Sequence, residues 1–165
     1  MKKLAIIAVT AAFSTPALAA PGDTATTQGQ ATAEVVAPIS LAHGGGALDF
    51  GTFTTGTGGG TVVVDATGGT ASGDVTLVAT STESQDTFDV SGDAGRAFSI
   101  STTAGTVANG AVTMAFTTSA PATGTLSTGA ATGTASFDVG GTLSVNGGEA
   151  AGVYSGTYDV TVTYN

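Results

Sequence analysis

The chain ends in the segment Gly152-Val-Tyr-Ser-Gly-Thr-Tyr-Asp-Val-Thr-Val-Thr-Tyr164-Asn165, which carries its clearest pattern. Large apolar residues fall on one face of this segment, at Tyr154, Tyr158, Val160, Val162 and Tyr164. Because successive side chains of a β-strand point to opposite faces, the alternation predicts a strand with one buried face. We therefore expect a strand over residues 153–164, with these side chains lining the core.

The same alternation recurs along the chain between glycine-rich breaks. Val112, Met114 and Phe116, for example, are separated by threonine and alanine. Threonine and valine favour strands because branching at Cβ suits a pleated, partly buried surface. Breaks such as Gly58-Gly59-Gly60 predict turns, and residues 118–133 predict a long loop or a poorly formed strand. The fold class is therefore all-β, a sandwich or a barrel, with predicted strands at 33–41, 48–54, 61–65, 74–81, 86–91, 96–102, 110–117, 134–145 and 153–164.

Composition excludes several classes of function. The chain has twelve acidic residues against three basic ones, so it cannot neutralise a run of phosphates, which excludes nucleic-acid binding. It contains no cysteine, which excludes disulfides, thiolate chemistry and cysteine-ligated metals. A single histidine leaves few routes to acid–base catalysis. We expect a protein that is not an enzyme and has no cofactor.

The N-terminus has the layout of a secretory signal peptide. Lys2 and Lys3 precede an apolar run, and Ala17-Leu18-Ala19 forms a cleavage site. Cleavage after residue 19 would leave one base, Arg96, against twelve acids, a net charge of −11. The predicted organisation is a signal peptide at 1–19, a flexible extension at 20–32 and a β-domain at 33–165. We expect an exported protein with no membrane span after processing.

Two groups of polar residues invite a chemical interpretation. His43-Gly44-Gly45-Gly46 is similar to an oxyanion-hole segment, but the chain has no G-x-S-x-G nucleophile motif, so an exposed histidine at a turn is expected. Asp86, Asp89 and Asp93 form the second group. Their spacing sends the carboxylates to different faces of a strand and does not suit calcium. We expect solvated acids, with one of them paired to Arg96.

The terminal segment also resembles the last strand of chaperone–usher pilus subunits. Those subunits end in alternating apolar residues, with a penultimate tyrosine and a glycine fourteen positions from the end, as Tyr164 and Gly152 are placed here. Further motifs resemble a secreted bacterial family catalogued as a domain of unknown function (DUF 4402), related to pilin-like and spore-coat U-like domains. They are Pro38-Ile-Ser-Leu, Leu48-Asp-Phe-Gly51, Phe88-Asp-Val-Ser-Gly92 and Val139-Gly-Gly-Thr-Leu143.

The resemblance implies an immunoglobulin-like (pilin-like) antiparallel β-sandwich that lacks its last strand. A periplasmic chaperone and an outer-membrane usher would be its partners during assembly at the surface of a Gram-negative cell. The N-terminal extension of a second copy would then complete the sandwich by strand addition. The donor segment would be 24–35, and its inward face would include Ala25, Gly29, Ala31, Ala33 and Val35.

Two classes of function remain open, and a third is weaker. The first is a self-associating structural subunit of a surface appendage or matrix, with assembly residues Gly152, Tyr154, Tyr158, Val160, Val162, Tyr164, Val35, Ala33 and Gly29. The second is a complete, monomeric secreted sandwich that binds a carbohydrate or surface ligand. Exposed aromatic residues would favour the second class, whereas the phenylalanines here lie in alternating runs typical of a core. An enzyme is the weaker third class.

Overall fold

The computed structural model describes Gly22 and residues 24–165, so the predicted signal peptide lies outside the described residues. The chain divides into two units between Glu34 and Val35. In the first unit, residues 24–34 are exposed and form neither strand nor helix. The second unit, Val35–Asn165, consists of strands and the loops that join them.

The strands of the second unit are short apart from a long hairpin and one central strand. They are β1 (Ser40–His43), β2 (Phe53–Asp65), β3 (Gly68–Leu77), β4 (Asp86–Asp93), β5 (Ala97–Thr102), β6 (Gly105–Asn109), β7 (Val112–Ser119), β8 (Thr123–Thr125), β9 (Thr132–Val145), β10 (Ser155–Thr157) and β11 (Val160–Tyr164). The all-β prediction is confirmed.

The strands form two antiparallel sheets, the larger of which is strongly curled. In the larger sheet the order is β1-β4-β9-β7-β6-β10, and the β2–β3 hairpin joins through β2 to β9. The smaller sheet has the order β11-β5-β8. The first and last strands, β1 and β11, therefore lie at the edges of different sheets.

The central strand, β9, changes partners at a glycine pair. Its first half pairs with β4 as far as Val139, and its second half pairs with β7 from Gly140 and with β2 from Gly141. A Cβ on Gly140 would overlap the carbonyl oxygen of Val64. Glycine here allows the close backbone approach that lets one strand serve three partners and the sheet curl.

Gly58-Gly59-Gly60 does not form the predicted turn. The triplet lies inside β2, where the register with β3 shifts between Thr55 and Gly60. Gly59 has a φ of 66°, in the left-handed region that glycine adopts without strain. The glycines thus form a β-bulge within a continuing strand, an alternative meaning of glycine in a strand pattern.

The first, middle and last predicted elements also need correction. Residues 33–39 are not in a strand, consistent with a proline at position 38 that cannot donate to a ladder. The segment 118–133, predicted as a long loop or a poorly formed strand, contains the three-residue strand β8 and the start of β9. The predicted strand over 153–164 is split at Tyr158 and Asp159 into β10 and β11, which belong to different sheets.

Two buried clusters form the core. The first contains Phe50, Val62, Val64, Val75, Met114, Phe116, Leu143 and Val145. The second contains Phe88, Val90, Phe98, Leu126, Phe137 and Val139. Tyr158 packs against both clusters, with its ring 6.1 Å from that of Phe116 and 6.3 Å from that of Phe88, each in a T-shaped arrangement. The phenylalanines in these clusters are core residues, as their alternation predicted.

Candidate functional site

The site is a groove between the first and last stretches of the second unit. We call it the terminal groove and define its two sides as residues 37–55 and residues 149–164. Within the described chain, β1 forms a ladder with β4 alone and β11 with β5 alone, so no ladder joins the two sides. Side chains connect them instead, and they divide the groove into a closed end, a polar centre and an open end.

At the closed end, Tyr164 reaches across the groove. Its hydroxyl donates to the carbonyl oxygen of Ala37 at 3.0 Å and accepts from the backbone N–H of Asp93 at 2.7 Å. A Cβ on Gly92 would overlap this hydroxyl, so glycine at that position makes room for the tyrosine. The penultimate tyrosine therefore ties the last strand to the residues before β1 and to the end of β4.

Asp86 forms the polar centre. Its side chain comes from the start of β4, and the residue is only 5% exposed. Oδ2 accepts a hydrogen bond from the Tyr158 hydroxyl at 2.8 Å, and Nε2 of His43 lies 2.7 Å from Oδ1. Oδ1 is buried and has no aligned hydrogen bond, so the His43 approach stabilises it only as an ionic contact when the imidazole is protonated.

At the polar centre, the clearest electrostatic effect is on the pKa of the Tyr158 phenol. Burial, the hydrogen bond to Asp86 and the charge of Asp86 together raise the pKa of the Tyr158 phenol far above its ordinary value of 10.0. The phenol therefore remains a hydrogen-bond donor throughout the physiological range. His43 is half-exposed, and its ring meets the edge of Phe88 with centroids 5.3 Å apart.

At the open end the groove widens into a cleft of about 1020 Å³. Residues 46–55 line one side and residues 149–158 the other, with β10 bonded along one edge to β6. Buried core side chains contribute to the lining of the cleft, among them Phe50, Met114, Phe116 and Leu143. The free edge of β10 and the apolar part of the lining suit an extended polypeptide, which can bond to an edge and bury alternate side chains.

The predicted assembly residues fall into two groups. Tyr154, Tyr158, Val160, Val162 and Tyr164 are partly buried and follow one another along one side of the groove, as their alternation would place them. Gly152 lies on the same side, exposed and against Asn109. Gly29 and Ala33 are exposed in the first unit, and Val35 is 96% exposed at the start of the second.

The expectation that Asp86, Asp89 and Asp93 are solvated acids is wrong for Asp86. Asp89 is exposed, and Asp93 binds Nε of Arg96 at 2.7 Å, the ion pair that was expected. Asp86, however, shares the inward face of β4 with Phe88 and Val90. That shared parity is visible in the sequence and could have predicted the burial, but no motif marks the residue as functional.

Two structural findings concern other kinds of site. Within Gly22 and residues 24–165, no three histidine or acidic side chains come together as a metal site would require. Over the same residues, no helix has the length and apolar character needed to cross a membrane.

Comparison with known proteins gives one match. A family model described as a domain of unknown function (DUF4402) matches residues 39–164, which include nearly all of the second unit. No curated protein and no solved structure matches the chain.

Proposed function

The chain belongs to the DUF4402 family of domains of unknown function, and from that premise we propose that it is a secreted structural subunit of a bacterial surface appendage or matrix. The observation that carries the proposal is the terminal groove. Its sides carry free edges of β1, β10 and β11 together with the loop residues 44–52, apolar core side chains contribute to its lining, and no strand of the described chain fills it. The proposal assigns the chain a structural role and no catalytic one.

The physical argument concerns exposed edges. A strand edge presents unpaired N–H and C=O groups, and an open cleft leaves its partly buried apolar side chains, such as Leu48 and Tyr154, in contact with water. Both costs are removed when an extended segment enters, because it pairs with the edges and covers the floor. We propose that the second unit is an immunoglobulin-like, pilin-like sandwich with one strand missing, and that a second copy supplies the strand.

The donor in this proposal is the segment 24–35 of the neighbouring copy. All of these residues are exposed, and its inward face carries Ala25, Gly29, Ala31, Ala33 and Val35. Small side chains bury little area, so at about 25 cal/mol per Å² each alanine contributes less than a valine or leucine would. We therefore expect a weaker joint than a donor rich in large apolar residues would give.

The proposal also includes a route to the surface. The signal-peptide pattern at 1–19 would direct the chain through export, and a periplasmic chaperone would cover the groove until a second copy arrives. An outer-membrane usher would then pass assembled subunits to the cell surface. The sequence features that support this route are the signal layout and the resemblance of the last strand to pilin subunits.

The test compares the mature chain with a chain that begins at Ala33, by light scattering and analytical ultracentrifugation. Polymers that form only when residues 20–32 are present would support strand donation. Monomers from both chains, with equal thermal stability, would contradict it.

An N-terminal sequence of exported protein that begins at Ala20 would support the proposed processing, and one that begins at Met1 would contradict it.

A second candidate function rests on the size of the cleft. At about 1020 Å³ it is at the upper end of the range for small-molecule pockets, and aromatic side chains line it. A complete, monomeric domain could hold a carbohydrate or surface ligand there. Monomeric behaviour in the experiment above, together with saturable glycan binding that Phe50→Ala weakens, would favour this function over assembly.

A further inference from the structure

The open end of the terminal groove is acidic. Asp49 lines one side of the cleft and Glu149 the other, and neither side chain is buried. His43 faces the buried carboxylate of Asp86, so a charge on its imidazole is balanced there and does not offset the two acids. No lysine or arginine of the described chain lines the cleft. A segment that binds at the open end therefore meets a negative field, and charge complementarity favours a basic one.

The segment that the proposed function places in the groove carries no positive charge. Residues 24–33 are uncharged, and Glu34 is acidic. The arginine of the described chain, Arg96, binds Asp93 at 2.7 Å, near the closed end of the groove. The N-terminal segment of a second copy therefore adds an acid to the cleft and no base.

The volume of the cleft also exceeds what that segment can fill. The cleft measures about 1020 Å³, whereas the inward face of residues 24–35 consists of alanines, a glycine, a threonine and a valine. We propose that the open end of the terminal groove binds an extended segment of a different protein, which carries lysine or arginine together with larger apolar side chains, before a second copy enters. The segment pairs with the free edge of β10, and its bases lie beside Asp49 and Glu149. The inference rests on the proposed function, in which a partner covers the groove until assembly.

Ionic strength acts in opposite directions on the two occupants. Attraction between a basic segment and the acidic cleft weakens as salt screens it, whereas the approach of two acidic copies becomes easier. Low salt therefore favours the partner, and higher salt favours a second copy. Exposed ion pairs are individually modest, so two of them should tighten binding about 10-fold at 0.01 M salt and only about 2-fold at 0.5 M.

Synthetic peptides test the charge preference against the full mature chain, by fluorescence anisotropy. All have capped ends and are based on the sequence of residues 24–35. The basic peptide carries Gln28→Lys, Gln30→Lys and Glu34→Lys, and the acidic peptide carries Gln28→Glu and Gln30→Glu, so the inward face is the same in both. At 0.01 M salt the basic peptide should bind about 10-fold more tightly than the unmodified one, and the acidic peptide should bind more weakly than either.

Two further peptides test the size preference. Ala31→Leu in the basic peptide enlarges a side chain on the inward face, whereas Thr32→Leu places the same side chain on the outward face. The inward leucine should tighten binding by about 5-fold because it covers more apolar surface, and the outward leucine should have little effect. Equal affinities of these two peptides would overturn the preference for larger apolar side chains.

Matched variants of the protein locate the attraction. Asp49→Asn with Glu149→Gln removes both cleft charges and keeps oxygens that can accept the existing bonds from backbone N–H groups. Asp89→Asn with Asp138→Asn removes two exposed charges from β4 and β9, outside the cleft. The cleft variant should lose most of the preference for the basic peptide, and the variant outside the cleft should keep it.

The outcomes separate this inference from the proposed function. Equal binding of the basic and acidic peptides, or an equal loss of preference in both variants, would overturn the basic partner and leave strand donation standing. Failure of every peptide to bind would also overturn the inference. If the mature chain stayed monomeric as well, the proposed function would fall with it.

Discussion

Tyr158 is the residue at which the two core clusters and the polar centre of the groove meet. Its ring packs between Phe88 and Phe116, and its hydroxyl binds Asp86. Because its pKa is raised in the folded state, folding favours the protonated phenol. The stability that this phenol contributes is therefore complete below about pH 10 and is lost as the pH rises towards the folded-state pKa.

Tyr158→Phe tests this linkage. At pH 8 the variant should lose about 1–2 kcal/mol of unfolding free energy, since a hydrogen bond to a buried carboxylate is removed. Above about pH 10 the difference between the two proteins should shrink, because the wild-type phenol then loses its advantage. Urea unfolding from pH 8 to 11 measures both curves. A constant difference over that range would show that the phenol does not titrate as expected.

Gly92 is a second residue whose role is steric. A side chain there would displace the Tyr164 hydroxyl from Asp93 and Ala37. We expect Gly92→Ala to lower the unfolding free energy by about 1–3 kcal/mol, and to add little once Tyr164→Phe has removed the hydroxyl. Gly46→Ala is the control, because a Cβ at that position makes only ordinary contacts. Additive losses in the double variant would contradict the assigned role.

At the scale of the element, β11 shows how one short strand separates two environments. Val160 and Val162 pack against the second core cluster, whereas Thr161 and Thr163 are exposed. Val160→Asp would place a charge against that cluster and should cost about 2–4 kcal/mol. Thr161→Asp, on the same strand but its outer face, should change stability by less than about 0.5 kcal/mol. Thermal melts of the two variants compare the faces, and equal melting temperatures would mean that the facing is wrong.

Elements also show what the sequence can and cannot predict. Alternation correctly predicted β-strands and the inward phenylalanines, because side-chain parity is a local property. Glycine was ambiguous: Gly58-Gly59-Gly60 suits a turn and a bulge equally, and only the pairing of β2 with β3 decides between them. The division of the last predicted strand at Tyr158 is likewise invisible locally, because it depends on β6 and β5 offering edges in different sheets.

Predicting the terminal groove would require both the local alternation of side chains and the pairing of the strands. The side at residues 149–164 could be predicted from the alternation that ends at Tyr164. The side at residues 37–55 was predicted only in part, by the run before His43. That the two sides face each other follows from the topology, which periodicity does not contain. Asp86 lay within reach of prediction, since it shares parity with Phe88 and Val90, but aspartate in a strand is ordinarily taken as a surface residue.

At the scale of the whole molecule, net charge opposes the proposed assembly. After the predicted cleavage, copies of net charge −11 must approach each other, and their repulsion falls as salt shortens the Debye length from about 30 Å at 0.01 M to about 8 Å at 0.15 M. We expect self-association to strengthen several-fold over that range, as measured by sedimentation. Sodium and potassium chloride should act alike if screening is the cause. Association that weakens with salt would point to attractive ion pairs in the joint.

The contact between Tyr164 and Ala37 joins residues that are 127 positions apart. Synthesis adds Tyr164 127 residues after Ala37, so the closed end of the groove cannot form until Tyr164 has been added. Contacts of such long sequence separation also form late and slowly in folding. The closed end of the terminal groove therefore forms only after synthesis has reached Tyr164, and a chain that stops before this residue has no hydroxyl with which to close it.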